Sequence, residues 1–330
     1  MKLTLDKIAH ELQLSKATVS FVLSGKSRQN NISEKTAQRV LEFCREHNYM
    51  PNIHAVRASR SIVKSIMLLV DENTACEGGD CFSEYNVARI AGGVINEAAN
   101  ADYSVIIRTY RDSLDENIIF NSFRNREIDG LIYYGIRIPE SWLAIIRSEE
   151  RRFVGISVEP SAGIGTVNID NRRISRDLAQ YFIERNCRKF VYIGGSSKSY
   201  VARERLHGFE DAVGEYPKRI LSGDFSEETA TTTLAEYLAT GHEFPDAVLG
   251  VNDKTALGAL KALKQAGLRI PVGGGDNIDG VKYVSSPVVT FDYMPHEMGR
   301  KSFQVLYNWI NGGDAEDIVL KSEIIIHEGF

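Results

Sequence analysis

The sequence predicts a small N-terminal all-α head followed by an α/β core made of two doubly wound parallel-sheet lobes. Residues 4–47 show three apolar stripes at helical spacing and no strand pattern. From residue 64 onward, short apolar runs alternate with amphipathic segments, which is typical of parallel sheets with helical crossovers. With 330 residues, the chain is long enough for the head and two further hydrophobic cores.

The head is predicted to be a helix-turn-helix unit. Thr4, Ser15 and Ser33 stand where they can cap its three helices, and only three or four residues separate the first helix from the second. The third helix is expected to bury one stripe: Ala37, Val40, Leu41 and Cys44. Compact three-helix units also serve protein contacts, so helix pattern alone leaves that alternative open.

Charge leaves two interpretations of the head open, a nucleic-acid-binding module and a helix face whose charges are simply solvated. Residues 1–60 hold ten Lys and Arg residues against five acidic residues, whereas the whole chain has a net charge of −5. A basic head of about +5 is therefore attached to an acidic body of about −10, as expected for a DNA-binding module on a sensor or an enzyme.

The core is predicted to bind a ligand between its lobes, because ligands of doubly wound sheets lie beyond the carboxyl ends of the strands. Two glycine pairs, Gly92–Gly93 and Gly194–Gly195, are interpreted as close packing and a strand-end turn. Neither resembles a dinucleotide-binding fingerprint.

The sequence offers no catalytic constellation, and we expect no enzyme activity, no cofactor and no metal. Cys76 and Cys81 lack two further ligands at usable spacing, and we expect all four cysteines to be reduced thiols. No apolar run approaches the length of a membrane span, and no secretory signal is recognisable, so we expect a cytoplasmic protein.

Several motifs, in order along the chain, resemble the LacI/GalR family of bacterial repressors. They are TLDKIAHELQLSKATVSFVLSG in the head, YMPN after it, RLHGF at 205–209, NDKTALG at 252–258 and GDN at 275–277. The resemblance implies a periplasmic-binding-protein-like core and a transcriptional regulator, which we expect to be a repressor. It further implies a pseudo-palindromic operator, a homodimer or higher homo-oligomer, and a small effector, expected to be a sugar or sugar derivative. The alternative is a cytosolic ligand-binding protein whose head mediates protein contacts.

The resemblance also implies the domain boundaries. Residues 1–48 form the helix-turn-helix domain, and 49–63 form a hinge helix and linker. The N-terminal lobe comprises 64–161 with 294–318, and the C-terminal lobe 162–293 with 319–330.

By the same resemblance, the second helix of the head contacts the operator. Lys16 and Ala17 occupy positions that read base edges, the first by donating to guanine and the second through its methyl group. Phosphate contacts and the capping residue complete the predicted set: Thr4, Ser15, Thr18 and Ser20. Phe21 stands where many members have arginine, and either contacts the DNA or packs on the third helix.

Residues 52–59 match the hinge helix of the family, which folds when two subunits meet on the operator. Asn52 is its expected cap. Ala58 stands in place of the usual leucine, and a methyl group is a poor wedge between base steps. Arg57 can instead enter a narrowed minor groove.

Six residues of the core are expected at the effector: Phe82, Tyr85, Asp170, Arg205, Asn252 and Asp276. The resemblance assigns the last four, of which Arg205 grips the ligand with its guanidinium fork. Asp170 and Asn252 can equally be plain helix caps. Phe82 and Tyr85 either stack on the ligand or serve in ordinary packing.

One segment departs from the family. Between Pro271 and Asp276 only Val-Gly-Gly-Gly intervenes, about four residues fewer than usual. Because glycines weaken a strand, we expect an abrupt strand or an altered placement of Asp276.

Overall fold

The computed structural model describes residues 3–47, 49, 62–72, 80–111 and 116–329. It shows a helical head and a core with two separate sheets, as the sequence predicts. The chain divides into two compact units, Met1–Val63 with Asn125–Glu127, and Lys64–Arg124 with Ile128–Phe330. None of the described helices has the length and apolar character needed to cross a bilayer.

The head contains three α-helices: α1 (Leu5–Glu11), α2 (Lys16–Leu23) and α3 (Glu34–Glu46). Each begins after the predicted cap, whose side-chain oxygen accepts a hydrogen bond from a backbone N–H: Thr4, Ser15 and Ser33. These bonds satisfy amides that have no partner inside the helix.

One residue from each helix lies at the centre of the head core: Ile8, Val19 and Val40 are fully buried. Ala37 is partly buried and Cys44 is buried, as expected. Leu41 is 47% exposed, so the prediction that it is buried was wrong. Ala37, Val40 and Cys44 already form the face of α3 that packs against the other two helices. Leu41 lies at the edge of that face.

The first lobe of the core is a parallel sheet with the strand order β11-β5-β4-β3-β1-β2. Its strands are β1 (Ser65–Asp71), β2 (Ser104–Tyr110), β3 (Gly130–Tyr134), β4 (Phe153–Ile156), β5 (Gly165–Ile169) and β11 (Asp317–Leu320). Its helices are α4 (Tyr85–Asn100), α5 (Glu116–Arg124), α6 (Glu140–Ser148) and α11 (Pro295–Ile310). Trp142 is fully buried in one face, against the rings of Tyr110, Phe120 and Tyr133.

The second lobe has the strand order β12-β10-β9-β8-β6-β7, parallel except for the β10–β12 pair. Its strands are β6 (Phe190–Ile193), β7 (Lys218–Leu221), β8 (Ala247–Gly250), β9 (Val272–Gly273), β10 (Val288–Phe291) and β12 (Ile324–His327). Its helices are α7 (Asn171–Glu184), α8 (Tyr200–Val213), α9 (Glu227–Ala239) and α10 (Asp253–Gln265).

Within the described core, the chain passes between the lobes after β5, after β10 and after β11. Strand β5 pairs with β4 in the first sheet. The predicted start of the second lobe at residue 162 is therefore too early, and the change of lobe falls at Asp170. Residues 319 and 320 likewise belong to β11 of the first sheet. Sequence alternation cannot locate such a change, because a strand looks the same whichever sheet it joins.

The short segment before Asp276 forms a strand of only two residues, β9, at the middle of the second sheet. Its glycines leave room for side chains behind the sheet. A Cβ at Gly273 would meet the ring of Phe182 at 2.9 Å, and one at Gly275 would meet the ring of Phe291 at 2.3 Å. The abrupt strand is thus as expected, with the glycines serving close approach rather than weakness alone.

The cysteines differ in part from the expectation of four reduced thiols. Cys44 and Cys187 are free and buried. Cys81 is joined in a disulfide, and its partner is not among the described residues. The expectation was wrong for Cys81, because counting cysteines does not show which of them the fold brings within bonding distance.

Candidate functional site

In the head, α2 presents the predicted DNA-contacting residues at its N-terminal end. Lys16 and Ala17 are exposed in its first turn. The Nζ atom of Lys16 lies 2.9 Å from an Oδ of Asp6 on α1, and both side chains remain mostly exposed. This ion pair places a cationic group at the N-terminal end of α2. Because both side chains are exposed to solvent, the pair is weak.

The remaining predicted contacts of the head are in accessible places. Thr4 caps α1, and the hydroxyls of Ser15 and Thr18 lie 2.8 Å apart at the start of α2. Ser20 is partly exposed. Phe21 is also partly exposed and is absent from the apolar side chains packed against the head core. The interpretation that Phe21 packs on the third helix is therefore not supported.

The predicted hinge residues Asn52, Arg57 and Ala58 lie outside the described residues.

In the core, a cavity of about 410 Å³ opens between the two lobes. It lies beyond the carboxyl ends of strands from both sheets, as predicted. First-lobe residues lining it are Glu72, Glu84, Asn86, Tyr134, Gly135, Ile136 and Ser157. The remaining lining residues are Ser199, Val201, Arg205, Asp224, Phe225, Ser226, Asn252, Lys254, Asp276 and Tyr293.

Arg205 is the centre of a buried polar network on the second-lobe side of this cavity. The residue is only 2% exposed. Its guanidinium donates to Asn171 at 3.0 Å, to the carbonyl of Val251 at 2.7 Å and to Asp276 at 3.0 Å. The guanidinium carbon also lies 4.8 Å from the ring centre of Phe291. These contacts hold the side chain rigid, so it meets a ligand without first being ordered.

Asp276 connects the network to the other lobe. Its second carboxylate oxygen accepts a hydrogen bond from the amide of Asn86, at 3.4 Å. A second bridge crosses the cleft nearby, where Lys254 lies 2.6 Å from Glu84. The two lobes therefore meet at the cavity through polar contacts that involve its lining residues.

A further carboxylate lies behind the network. Asp253 is fully buried and accepts hydrogen bonds from the hydroxyl of Thr290 and the backbone N–H of Ile278. Burial and the negative charge of Asp276 raise the pKa of Asp253 to about 7. Burial also raises the pKa of Asp276, against the opposing effect of Arg205.

The structure brings together three of the six predicted effector residues, Arg205, Asn252 and Asp276, at one cavity. Asn252 also caps α10, accepting from the backbone N–H of Thr255, so its position is compatible with both interpretations.

Phe82, Tyr85 and Asp170 are absent from the cavity lining. Phe82 is 46% exposed, and the ring of Tyr85 lies under the guanidinium of Arg89 at 5.0 Å. Asp170 caps α7, where it accepts from the backbone N–H of Arg173. For Asp170 the structure thus favours the simple capping role.

Sequence reasoning missed most other lining residues, although some of them carried a signal. Glu72, Asp224 and Tyr293 lie one to three positions after the ends of β1, β7 and β10, where the cleft had to lie. Phe225 is distinguished only by its backbone conformation in the structure, where its φ of 74° lies in the left-handed region. Asn86, inside α4, carried no signal.

Comparisons with known proteins agree with both units. Residues 4–52 match the model of bacterial regulatory proteins of the lacI family, and residues 179–326 match a periplasmic binding protein-like domain. The HTH-type transcriptional regulator MalR of Streptococcus pneumoniae is 26% identical over 99% of both chains. The HTH-type transcriptional repressor CytR of Escherichia coli is 27% identical over 94% of this chain and 90% of its own.

Solved structures show the same fold. A Lac repressor dimer bound to operator and the anti-inducer ONPF has a TM-score of 0.80 at 21% identity and covers 98% of each chain. A complex of the transcriptional regulator CelR with cellobiose has a TM-score of 0.72 at 22% identity, covering 99% of this chain and all of that one.

A helix-turn-helix head joined to a two-lobed core with a polar cleft defines a DNA-binding transcriptional regulator with a sensor core. The chain carries the DNA-binding domain of the lacI family of bacterial regulatory proteins and a periplasmic binding protein-like domain, and its relatives are LacI-family regulators. The alternative of a ligand-binding protein without DNA contact is thereby disfavoured.

Proposed function

We propose that this protein is a repressor that binds a pseudo-palindromic operator as a homodimer or higher homo-oligomer. A small hydroxylated molecule, a sugar or sugar derivative, binds between the lobes of the core and sets the affinity for the operator. The proposal includes no catalysis and no cofactor. The site of action is the cytoplasm, where the operator DNA is.

The observation that carries the sensing part is the cavity at Arg205 and Asp276, lined from both lobes. Carboxylate, amide and guanidinium groups around a partly aromatic pocket suit a ligand with several hydroxyl groups. A ligand that contacts both lobes changes the free energy of the closed cleft relative to an open one. We propose that this change controls whether the hinge segments of two subunits fold together on DNA.

The DNA part is supported by the match of residues 4–52 and by the exposed start of α2. In this proposal Lys16 and Ala17 read base edges, and Thr4, Ser15, Thr18 and Ser20 fix the register on phosphates. Phe21 offers an apolar surface in the same groove.

The test is a mobility shift of the full-length protein on the DNA upstream of its own gene, with footprinting of the bound site. We expect a protected pseudo-palindrome and strong weakening of binding as salt rises. Lys16→Gln is expected to weaken binding and relax preference at one base of each half-site, by a factor of about 10 or more.

Lys198→Gln, an exposed residue of the core, makes the same charge change and should leave binding unchanged. Equal behaviour of the two variants would contradict the assigned role of α2. The absence of any shift at low salt would contradict the proposed function itself.

A further inference from the structure

Among the described residues, two cationic side chains line the cavity, and each already has a carboxylate partner. Arg205 is paired with Asp276, and Lys254 with Glu84. The Arg205–Asp276 pair is nearly inaccessible, with side chains 3% and 9% exposed. A phosphate or carboxylate group that took the place of Asp276 at Arg205 would separate this buried pair, which is strongly unfavourable. The Lys254–Glu84 pair is more accessible, with side chains 32% and 17% exposed.

The carboxylates of the lining outnumber these cations. Glu72 is paired with Arg111, a residue outside the lining. Asp224 differs from the other three carboxylates, because it accepts hydrogen bonds from the uncharged groups of Ser226 and Thr229. Burial acts to raise the pKa of Asp224, but these hydrogen bonds together outweigh burial and lower the pKa. Its charge thus remains in the cavity at neutral pH and repels an anionic ligand.

An independent observation points to what the ligand must supply. Asn86 lines the cavity, and its amide oxygen is buried and has no hydrogen-bond partner among the described residues. Asn86 as a whole is only 7% exposed. Since an amide oxygen can only accept, a hydroxyl or amino group of a ligand satisfies it and an ionised phosphate oxygen does not.

We propose that the cavity selects ligands that are rich in hydrogen-bond donors and carry no negative charge, and that it rejects phosphorylated and carboxylated forms of the same molecules. Asn86 and Asp224 receive the donors. An amino group in place of a hydroxyl is tolerated or preferred. This inference rests on the proposed function, because it names the chemical class of the effector.

The test uses matched sets of compounds with the full-length protein in thermal-shift and calorimetric titrations. Each set contains a neutral sugar, its amino derivative, its phosphate ester and, as a control for size, its neutral acetyl ester. Glucose, glucosamine, glucose 6-phosphate and 6-O-acetylglucose form one set, and hexoses, pentoses, disaccharides and nucleosides supply others. For the set that binds, the phosphate ester should bind at least about tenfold more weakly than the acetyl ester.

Two further measurements separate charge repulsion from steric exclusion. Asp224→Asn should reduce the discrimination against the phosphate ester, whereas Asp314→Asn, an exposed residue that does not line the cavity, should not. The discrimination in the unmodified protein should also shrink as salt rises, because ions screen it.

A phosphate ester that binds as tightly as the neutral sugar, or more tightly, would overturn the inference. If such an anion also alters operator affinity, the proposed function stands and only the charge selectivity fails. If no compound of any set binds or alters operator affinity, effector sensing at this cavity fails and the inference fails with it.

Discussion

At the scale of single residues, most of the charged side chains that line the cleft already form ion pairs within the protein. Arg205 was singled out as a ligand-gripping residue, and in the structure it is also the partner of a buried carboxylate. Replacing it therefore changes the stability of the core as well as ligand binding. A variant that merely loses its ligand response does not separate these two roles.

Arg205→Ala is expected to lower the free energy of unfolding by about 3–5 kcal/mol, because Asp276 is left as a buried charge without a partner. The measurement is urea unfolding of the single variants and of the double variant Arg205→Ala with Asp276→Asn. The double variant should be less destabilised than the sum of the single changes, by about 0.5–3 kcal/mol. Strict additivity would show that the pair is not coupled.

The raised pKa of Asp253 predicts how the free energy of unfolding changes with pH. Its pKa is about 7 in the folded protein against an ordinary value of 3.8, so the folded state keeps a proton that the unfolded state releases. The resulting stabilisation is fully present below about pH 4 and is lost as the pH rises toward 7. Between pH 5 and pH 8, the free energy of unfolding should fall more in the unmodified protein than in Asp253→Asn, by roughly 2 kcal/mol.

Denaturant unfolding at both pH values measures this difference. The comparison concerns the change with pH, so a constant cost of the substitution cancels. Parallel pH profiles for the two proteins would contradict the raised pKa of Asp253.

At the scale of elements, glycine determines how closely helices α4 and α11 pack. A Cβ at Gly93 would lie 2.1 Å from the carbonyl oxygen of His296, and one at Gly299 would lie 2.2 Å from that of Ile90. The neighbouring Gly92 differs, since its Cβ would meet only the ring of His296, at 3.9 Å. The two helices can therefore approach at 93 and 299 only because neither residue has a side chain.

Gly93→Ala is expected to destabilise the core by about 1–3 kcal/mol or more, because backbone must move to admit the methyl group. Gly92→Ala in the same helix is the matched control, and it should be neutral or stabilising by up to about 1 kcal/mol, since alanine favours helix. Thermal unfolding of both variants tests this. Similar melting temperatures for the two would refute the close contact at Gly93.

At the scale of the whole molecule, the proposed function couples two equilibria, the binding of the effector and the binding of the operator. If an effector changes operator affinity by some factor, linkage requires operator DNA to change effector affinity by the same factor. For a coupling free energy of about 1–3 kcal/mol, this factor is about 5–150.

The measurement is effector titration with and without saturating operator, and operator titration with and without saturating effector. The two factors should agree within error. Unequal factors would mean that the cavity and the head are not coupled through one equilibrium, even if both ligands bind.

Local sequence signals and the family resemblance were enough to predict the helices of the head, the two sheets and part of the cavity. The hydroxyl caps at Thr4, Ser15 and Ser33 and the apolar periods predicted the helices of the head, because capping and amphipathic spacing act within a few residues. The alternation after residue 64 predicted two parallel sheets and a cleft at their carboxyl ends. The motifs around Arg205, Asn252 and Asp276 identified three residues of the cavity.

Only the tertiary structure decided the lobe to which β5 belongs and the position of Asp170 as a simple cap. It also decided that Asn86 and Asp224, 138 positions apart in the sequence, line one cavity. These features depend on pairing and burial between segments distant in sequence, and no local pattern encodes such contacts. Charge compensation in the cleft is of the same kind, because it follows from which side chains meet across the lobes.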